Sequence, residues 1–260
     1  LDPPLRAARG QRWLLAAAGD ARLAPGQLLE AEVEWSHQAQ PSQPGFSLLG
    51  SRLPSAHDVD PRINLNDQTW SLPVVFDNTT ASLRFTQELG AAWRLVAQAM
   101  SQQLRSDDRI AFPFGCSAQN DYSSYCSDGS FDLYDFRSNG EKRQSDAAQL
   151  RVEGQLDTAG WHHALAAGVL YSRYRQREGL QTYNWAGIGT VDGKTQVPAA
   201  PDALDQNTNR SERSVETQLT DHLSHGDWGL WLGLRNTRLQ RDSQRTDGSQ
   251  PTAYAQSFSA

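Results

Sequence analysis

The sequence predicts an all-β protein whose consecutive strands pair antiparallel in a meander. Three observations predict this fold. Apolar and polar residues alternate strictly in repeated segments, tight reversals separate pairs of these segments, and three long stretches show no period at all. A helix would need apolar residues at a spacing of 3.6, which the alternating segments lack. The chain has 260 residues, enough for one large domain or two small ones.

The segment from Leu29 to Ser36 shows the alternation in its simplest form. Leu, Ala, Val and Trp occupy one face, and three Glu and one Ser occupy the other. The same pattern recurs along the chain and predicts about nine strands. They are expected at Arg12 to Gly19, Gln27 to Gln38, Thr79 to Leu89, Ala92 to Arg105, Arg143 to Asp157, Trp161 to Arg175, Arg213 to Ser224, Trp228 to Gln240 and Ala253 to Ala260.

The connections between strands alternate between very short and very long. Short reversals contain Pro25-Gly26, Gly90, Ala159-Gly160 and Gly226, which are residue types that sharp turns favour. The long stretches run over residues 39–78, 107–142 and 176–210. Compact soluble domains seldom carry three such loops, whereas outer-membrane barrels have short periplasmic turns and long extracellular loops. The pattern therefore predicts part of a transmembrane outer-membrane β-barrel.

Composition excludes other classes. The formal charge of −6 argues against a nucleic-acid binder that uses a basic face. No run approaches the 18 or so apolar residues of a membrane helix. The low mean hydropathy of −0.64 is compatible with a barrel, because only alternate residues of each strand would meet lipid.

Period-2 alternation also predicts which residues share a face, since a slip of one residue would invert every strand. The apolar set, expected on the outside of a curved sheet, is Leu29, Val33, Leu83, Phe85, Leu95, Leu150, Val152, Leu219, Leu230 and Leu232. The polar set, expected on the concave side, is Glu30, Glu32, Arg84, Arg94, Gln98, Arg151, Glu153, Glu216 and Arg235. In a soluble β-sandwich the apolar set would instead be buried between two sheets.

Four tryptophans fit an aromatic girdle at the membrane surfaces. Trp93, Trp161 and Trp228 each follow a short turn within three residues, and Trp35 lies near the far end of its strand. Barrels carry aromatic residues at both interfaces. The alternative is that each tryptophan is a core residue of a sandwich.

Several stretches resemble the barrel part of a TonB-dependent siderophore receptor. They are Glu34 to Gln38, Pro44 to Phe46, Asn66 to Pro73, Ser106 to Cys116 and Leu232 to Arg235. The resemblance runs from about Arg12 to Ala260 and implies an outer-membrane location in a Gram-negative cell. It also implies a ferric siderophore as the transported ligand, no resident cofactor, contact with outer-membrane lipid and a monomeric state.

The family has a 22-stranded barrel occluded by an N-terminal plug, and its TonB complex supplies energy. This sequence departs from that pattern because no plug-like domain or TonB-box segment is evident in it. Residues 1–260 are therefore expected to be an internal, partial barrel, and the TonB complex would act through a missing N-terminal part.

In an exported protein, Cys116 and Cys126 are expected to form a disulfide. Two free thiols are the alternative. A metal pair is disfavoured because no histidine lies nearby to complete a tetrahedral site.

Aromatic residues in two long stretches are candidate ligand contacts, because the family binds ferric siderophores through aromatic faces. They are Tyr122, Tyr125, Tyr134 and Phe136 in one stretch, and Tyr183 and Trp185 in the next. The alternative is that they only pack the loops against themselves.

Enzymatic chemistry is not expected. The sequence holds no nucleophile elbow, Walker loop or HExxH. Asp128, Asp132 and Asp135 miss the calcium-loop spacing, and Glu30 with its alternate neighbours suits a wet wall better than a catalytic pair. No metal site is predicted. Two hypotheses remain: a TonB-dependent receptor segment that binds without covalent chemistry, or a secreted soluble β-sandwich or glycan-binding domain.

Overall fold

The computed structural model describes residues 9–260 and confirms an all-β fold with antiparallel pairing throughout. It contains ten strands and one short 3-10 helix, Ser117–Gln119. The strands are β1 Gln11–Ala24, β2 Gln27–Gln40, β3 Val74–Glu88, β4 Trp93–Pro113, β5 Ser130–Thr158, β6 Trp161–Arg177, β7 Thr182–Thr190, β8 Thr208–His225, β9 Trp228–Arg245 and β10 Thr252–Ser259. Of the predicted domain, residues 1–8 lie outside the described residues. No helix within residues 9–260 is long and apolar enough to cross a membrane.

All strands form one sheet in the order β1-β2-β3-β4-β5-β6-β8-β9-β10, and β7 pairs with β5. Short turns join the hairpins at one end, and the long connections lie at the other. At the β5–β6 turn, Ala159 and Gly160 both have positive φ, 51° and 82°, as a two-residue hairpin with the twist of its strands requires.

The antiparallel meander is confirmed, and two details differ from the prediction of about nine strands. Strand β7 lies within the predicted irregular stretch 176–210, and β4 and β5 extend far into the stretch 107–142. A bulge between Ser106 and Asp108 separates the lower part of β4 from its extension. Beyond it, β5 pairs with β7 instead of β6, so β7 continues the direction of β6 after a short break.

The register confirms that the predicted apolar set shares one face of the sheet. Directly paired residues lie on the same side: Phe85 is opposite Leu29 and Ala97, and Ala97 is opposite Leu150. Leu83 and Leu150 remain 48% and 47% exposed. The ten strands form one sheet, so no second sheet of residues 9–260 covers this face. The predicted polar set shares the opposite face, while the assignment of that face to a concave side stays a prediction.

We call the main part of the sheet the wall: β1 to β3, β4 up to Ser106, β5 from Glu141, β6, and β8 to β10. The packed core lies outside the wall, in what we call the extension: β4 from Asp108, β5 up to Ser138, and β7. One face of the extension carries Ala111, Phe131 and Leu133, which are almost fully buried. Residues of the β2–β3 and β7–β8 connections cover that face, including Leu65 and Val197.

Polar side chains fix these connections in place. Asn66 Oδ1 accepts a hydrogen bond from the Ala111 amide at 2.6 Å. Gln68 donates to the Thr195 carbonyl and accepts from the Val197 amide, both at 2.9 Å. Each bond satisfies a polar group that burial would otherwise leave unpaired.

Candidate functional site

The other face of the extension carries a cluster of aromatic rings, which we call the aromatic face: Phe112, Phe114, Tyr134, Phe136, Tyr183 and Trp185. Cross-strand pairing brings them together, because Tyr134 is opposite both Phe112 and Trp185, and Phe136 is opposite Tyr183. Side chains that are directly opposite in an antiparallel pair lie close enough to touch.

Tyr183 lies at the centre of the aromatic face. Its ring stacks on Tyr134 at 4.9 Å between centroids and 6° between planes. Phe112 approaches it at 6.1 Å, and Phe136 meets it edge-on at 6.4 Å. Offset stacked and edge-to-face pairs are the favoured aromatic geometries. The packing therefore orders the rings, although Tyr183 itself stays substantially exposed.

The two stacked phenols remain neutral over the physiological range. Burial raises the pKa of Tyr134, with smaller contributions from the Asp132 carboxylate and from Tyr122. Burial also raises the pKa of Tyr183, helped by Tyr134. A neutral phenol can both donate and accept a hydrogen bond. The aromatic face thus offers ring surfaces together with hydroxyl groups.

Asp132 fixes the edge of this face. It is only 3% exposed, and its carboxylate accepts hydrogen bonds from the Ser117 amide at 2.6 Å and the Ser117 hydroxyl at 2.9 Å. It accepts a third from the Trp185 indole at 3.0 Å. Trp185 is 55% exposed, so a ring open to solvent is held in one orientation by a buried carboxylate.

Two of the six candidate ligand residues lie off the aromatic face. Tyr122 is 57% exposed and influences Tyr134 electrostatically, which places it nearby. Tyr125 is 2% exposed and packs on Phe131 at 4.7 Å in the core. Its hydroxyl donates to the Gly45 carbonyl at 3.1 Å, and burial raises its pKa to about 12. Tyr125 therefore packs inside its loop and the core, as the alternative to a ligand contact predicts.

Phe112, Phe114 and Asp132 also belong to this site and were not predicted from the sequence. Phe112 and Phe114 alternate with Pro113 and Gly115 immediately before Cys116, so a period of two residues is present there, but only over a short segment. Nothing in the sequence marks Asp132 apart from the other aspartates of its segment.

The predicted disulfide between Cys116 and Cys126 is confirmed, with Cα atoms 5.0 Å apart. It closes the segment that carries the short helix and Tyr122. Ser117, which holds Asp132, directly follows the first cysteine. The disulfide and the aromatic face are therefore joined through one residue.

The four girdle tryptophans all lie on the apolar face of the wall. Trp93 pairs with Gly154 and its ring covers that glycine, leaving no room there for a Cβ atom. Trp161 and Trp228 begin β6 and β9, and Trp35 lies in β2 opposite Thr79. Their role as membrane anchors stays a prediction.

Within residues 9–260, no group of three or more His, Cys, Asp or Glu side chains is arranged to hold a metal ion. Asp108, at the base of the extension, is a carboxyl with a raised pKa. Burial, and to a lesser degree Glu141, raises its pKa to about 6.

The fold is similar to that of solved receptors and transporters for ferric ligands. The ferric preacinetobactin receptor BauA from Acinetobacter baumannii aligns with a TM-score of 0.75 at 11% identity, over 99% of this chain and 38% of its own. The ferric-catecholate import receptor Fiu from E. coli K12, in its closed form, gives 0.76 at 13%, over 99% and 41%. The ferric citrate transporter FecA gives 0.71 at 10%, over 98% and 33%.

The likeness is one of fold. This chain spans about a third to two fifths of the length of these three receptors. No protein-family model matches the sequence, and no curated protein matches it. The matched structures are transport receptors and not enzymes.

Proposed function

We propose that this chain forms part of the wall and the extracellular face of an outer-membrane receptor for ferric siderophore uptake. The observation that carries the proposal is the apolar face of a ten-stranded sheet, which no other layer of the described chain covers. Such a face needs an apolar environment, and a closed barrel in lipid provides it while pairing every backbone group. The fold of the matched receptors supports the same assignment.

The aromatic face is the proposed ligand contact within the part of the protein that this chain represents. Ferric siderophores are rigid, partly aromatic chelates. Stacked rings with neutral phenol groups offer such a ligand both π surfaces and hydrogen bonds. The order imposed by Tyr183 and Asp132 reduces the entropy that binding would otherwise cost.

The proposed mechanism involves no covalent step. The ligand binds at the extracellular side, and the intact protein would pass it through the barrel with energy from the TonB complex. A soluble β-sandwich is a weaker proposal, because the sheet has no partner sheet among residues 9–260.

Two measurements test the proposal. Flotation of the refolded chain with lipid vesicles tests the membrane location. A detergent-free, monodisperse protein that stays at the bottom of the gradient would contradict it. Binding is then measured in detergent by quenching of tryptophan fluorescence with the ferric complex of 2,3-dihydroxybenzoate, with ferric citrate as the non-aromatic comparison.

The variant Tyr183→Ala should weaken binding of the aromatic chelate at least about tenfold, because it removes the ring on which three others pack. The matched control is Tyr254→Ala, an exposed tyrosine on β10 far from the extension. Equal affinities for all three proteins would refute the aromatic face as the ligand contact.

A further inference from the structure

The apolar face of the wall ends in a zone of positive charge on the side of the long connections. Seven cations share this face, and we call them the basic belt: Arg105, Lys142, Arg173, Arg175, Arg177, Arg213 and Arg238. Arg105 is directly opposite Lys142, which is directly opposite Arg177. Arg173 is directly opposite Arg213. The same register carries the apolar residues closer to the turns, so belt and apolar residues lie on one surface.

The belt begins where the apolar positions stop. On β6 the residues of this face from Trp161 to Tyr171 are mostly apolar or aromatic, and Arg173, Arg175 and Arg177 follow. Ten residues at about 3.3 Å each, tilted by about 40°, span about 25 Å. That is the height of the apolar band of outer-membrane barrels. The belt therefore lies at the level where lipid headgroups would begin.

The charge pairing differs between the two faces. On the polar face, arginines have carboxylate partners: Arg94 and Arg151 pair with Glu153, and Arg235 pairs with Glu216. Within residues 9–260, none of the seven belt cations forms an ion pair at 4 Å or less with a carboxylate. Six of the seven are exposed, and Arg175 is half-buried.

Carboxylates are few on the belt side of this face, and several are engaged with neutral or histidine partners. Asp77 contacts His37 at 2.8 Å, Asp107 accepts from the Gly140 amide at 2.6 Å, and Asp146 accepts from the Ser101 hydroxyl at 2.7 Å. Asp242 is the fourth, opposite Ser211. Like charges placed directly opposite each other destabilise a sheet. Asp77 is directly opposite Arg105 and Asp146 is directly opposite Arg173, but neither pair forms an ion pair at 4 Å or less. Seven cations against four carboxylates leave an excess of positive charge, which anions from outside the chain can neutralise.

We propose that the basic belt binds the phosphate groups of lipid headgroups in the leaflet on the side of the long connections. The inference rests on the proposed membrane location. Guanidinium groups suit phosphate because their planar donors can bind two oxygens at once. A shallow groove of about 210 Å³ between Arg105, Lys142, Arg175 and Arg177 is open to receive such a group.

The test compares lipid retention in detergent by native mass spectrometry, with dioleoyl phosphatidic acid as the probe. The variant R105Q/K142Q/R177Q removes the directly opposed row. The matched control R84Q/R94Q/R235Q removes three arginines from the polar face. The row variant should lose affinity for phosphatidic acid at least about tenfold, since each surface cation contributes to binding of anionic lipid, while the control should stay within about twofold.

Equal retention by wild type and row variant would overturn the proposal. Inorganic phosphate alone is the comparison for a free-anion site. If it binds with the same dependence on the row and phosphatidic acid binds no more tightly, the assignment to lipid is wrong. If the row variant does not fold, judged by circular dichroism, R173Q/R213Q takes its place, with the same expected loss of retention.

Failure of this inference is distinguishable from failure of the proposed function. Wild type that does not float with vesicles would refute the membrane location and the lipid site together. Wild type that floats, together with a row variant that retains phosphatidic acid, would refute the lipid site alone. Binding of the ferric chelate depends on Tyr183 and should be unchanged in the row variant.

Discussion

Replacing Asp132 with alanine should loosen the extension where the disulfide segment meets β5 and β7. The wild-type carboxylate accepts three hydrogen bonds, at 2.6 and 2.9 Å from Ser117 and at 3.0 Å from Trp185. Alanine leaves all three donors without this acceptor. Hydrogen bonds to a charged group each contribute about 1.5–3 kcal/mol, part of which water recovers at the exposed Trp185. We therefore expect a local loss of roughly 2–4 kcal/mol.

Hydrogen exchange followed by mass spectrometry measures this loss directly. A change of roughly 2–4 kcal/mol raises the local opening constant about 30- to 1000-fold. The faster exchange should be confined to peptides from the disulfide segment and β7, with the wall strands unchanged. Asp128→Ala is the matched control, because Asp128 is exposed and bonds only within its own turn, to Ser130. It should change exchange by less than about 1 kcal/mol equivalent.

Wild-type exchange rates in Asp132→Ala would refute the reasoning, since they would mean that the carboxylate holds neither Ser117 nor Trp185. Accelerated exchange throughout the wall would also contradict it. That result would show that the extension and the wall open as one unit.

Three further predictions concern the extension. Replacing Cys116 and Cys126 with serine should destabilise it by about 3 kcal/mol, since the bridge closes a separation of 10 residues; an unchanged thermal midpoint would contradict this. Leu133→Ala should lower the free energy of unfolding by about 2–5 kcal/mol, because the side chain is 1% exposed in the core. An unchanged midpoint in denaturant unfolding would contradict this. Asp108 has its pKa raised to about 6 when folded, above the ordinary 3.8, so the stability it contributes at low pH is lost as pH rises from about 4 through about 6. Asp108→Asn should raise the free energy of unfolding near pH 7.5 by at most about 3 kcal/mol, and by less after solvent screening, and so raise the thermal midpoint there. Near pH 4 it should have little effect; an equal effect at both pH values would rule out titration as the cause.

The wall strands could be predicted because their two faces meet different surroundings. Leu29 to Ser36 alternates without exception, and β2 pairs with β3 through that whole segment without a bulge. The upper half of β5 has no such contrast. Phe131 and Leu133 face the core while Tyr134 and Phe136 face the aromatic cluster, so apolar residues occupy both sides. A pattern that depends on one polar face fails when neither face is polar.

Strand β7 could not be predicted from the sequence for a related reason. Gly187 and Gly189 suggest a loop, but the ring of Phe131 lies where a Cβ atom of residue 189 would be. Glycine in a strand can mark such a close approach. That approach depends on β5, more than fifty residues away, so the local sequence does not reveal it.

In the candidate site, the sequence also does not reveal which single residues are exposed to solvent. Tyr122 and Tyr125 occur in one loop three positions apart, yet one is open to solvent and the other is enclosed. No period in that loop distinguishes them, and only the packing of Tyr125 on Phe131 does so. Cys116 and Cys126 were predictable because their chemistry, and not their surroundings, decides the pairing.

The position of the buried core has a consequence for how this protein can change. The wall has no interior packing of its own, whereas the extension has a closed core that joins it at one bulge near Ser106. Substitutions on the aromatic face do not change the backbone pairing between the wall strands. A lineage can therefore change the aromatic face while the wall remains in register. If the chain functions as proposed, ligand recognition and membrane residence would be separately heritable properties of one continuous sheet.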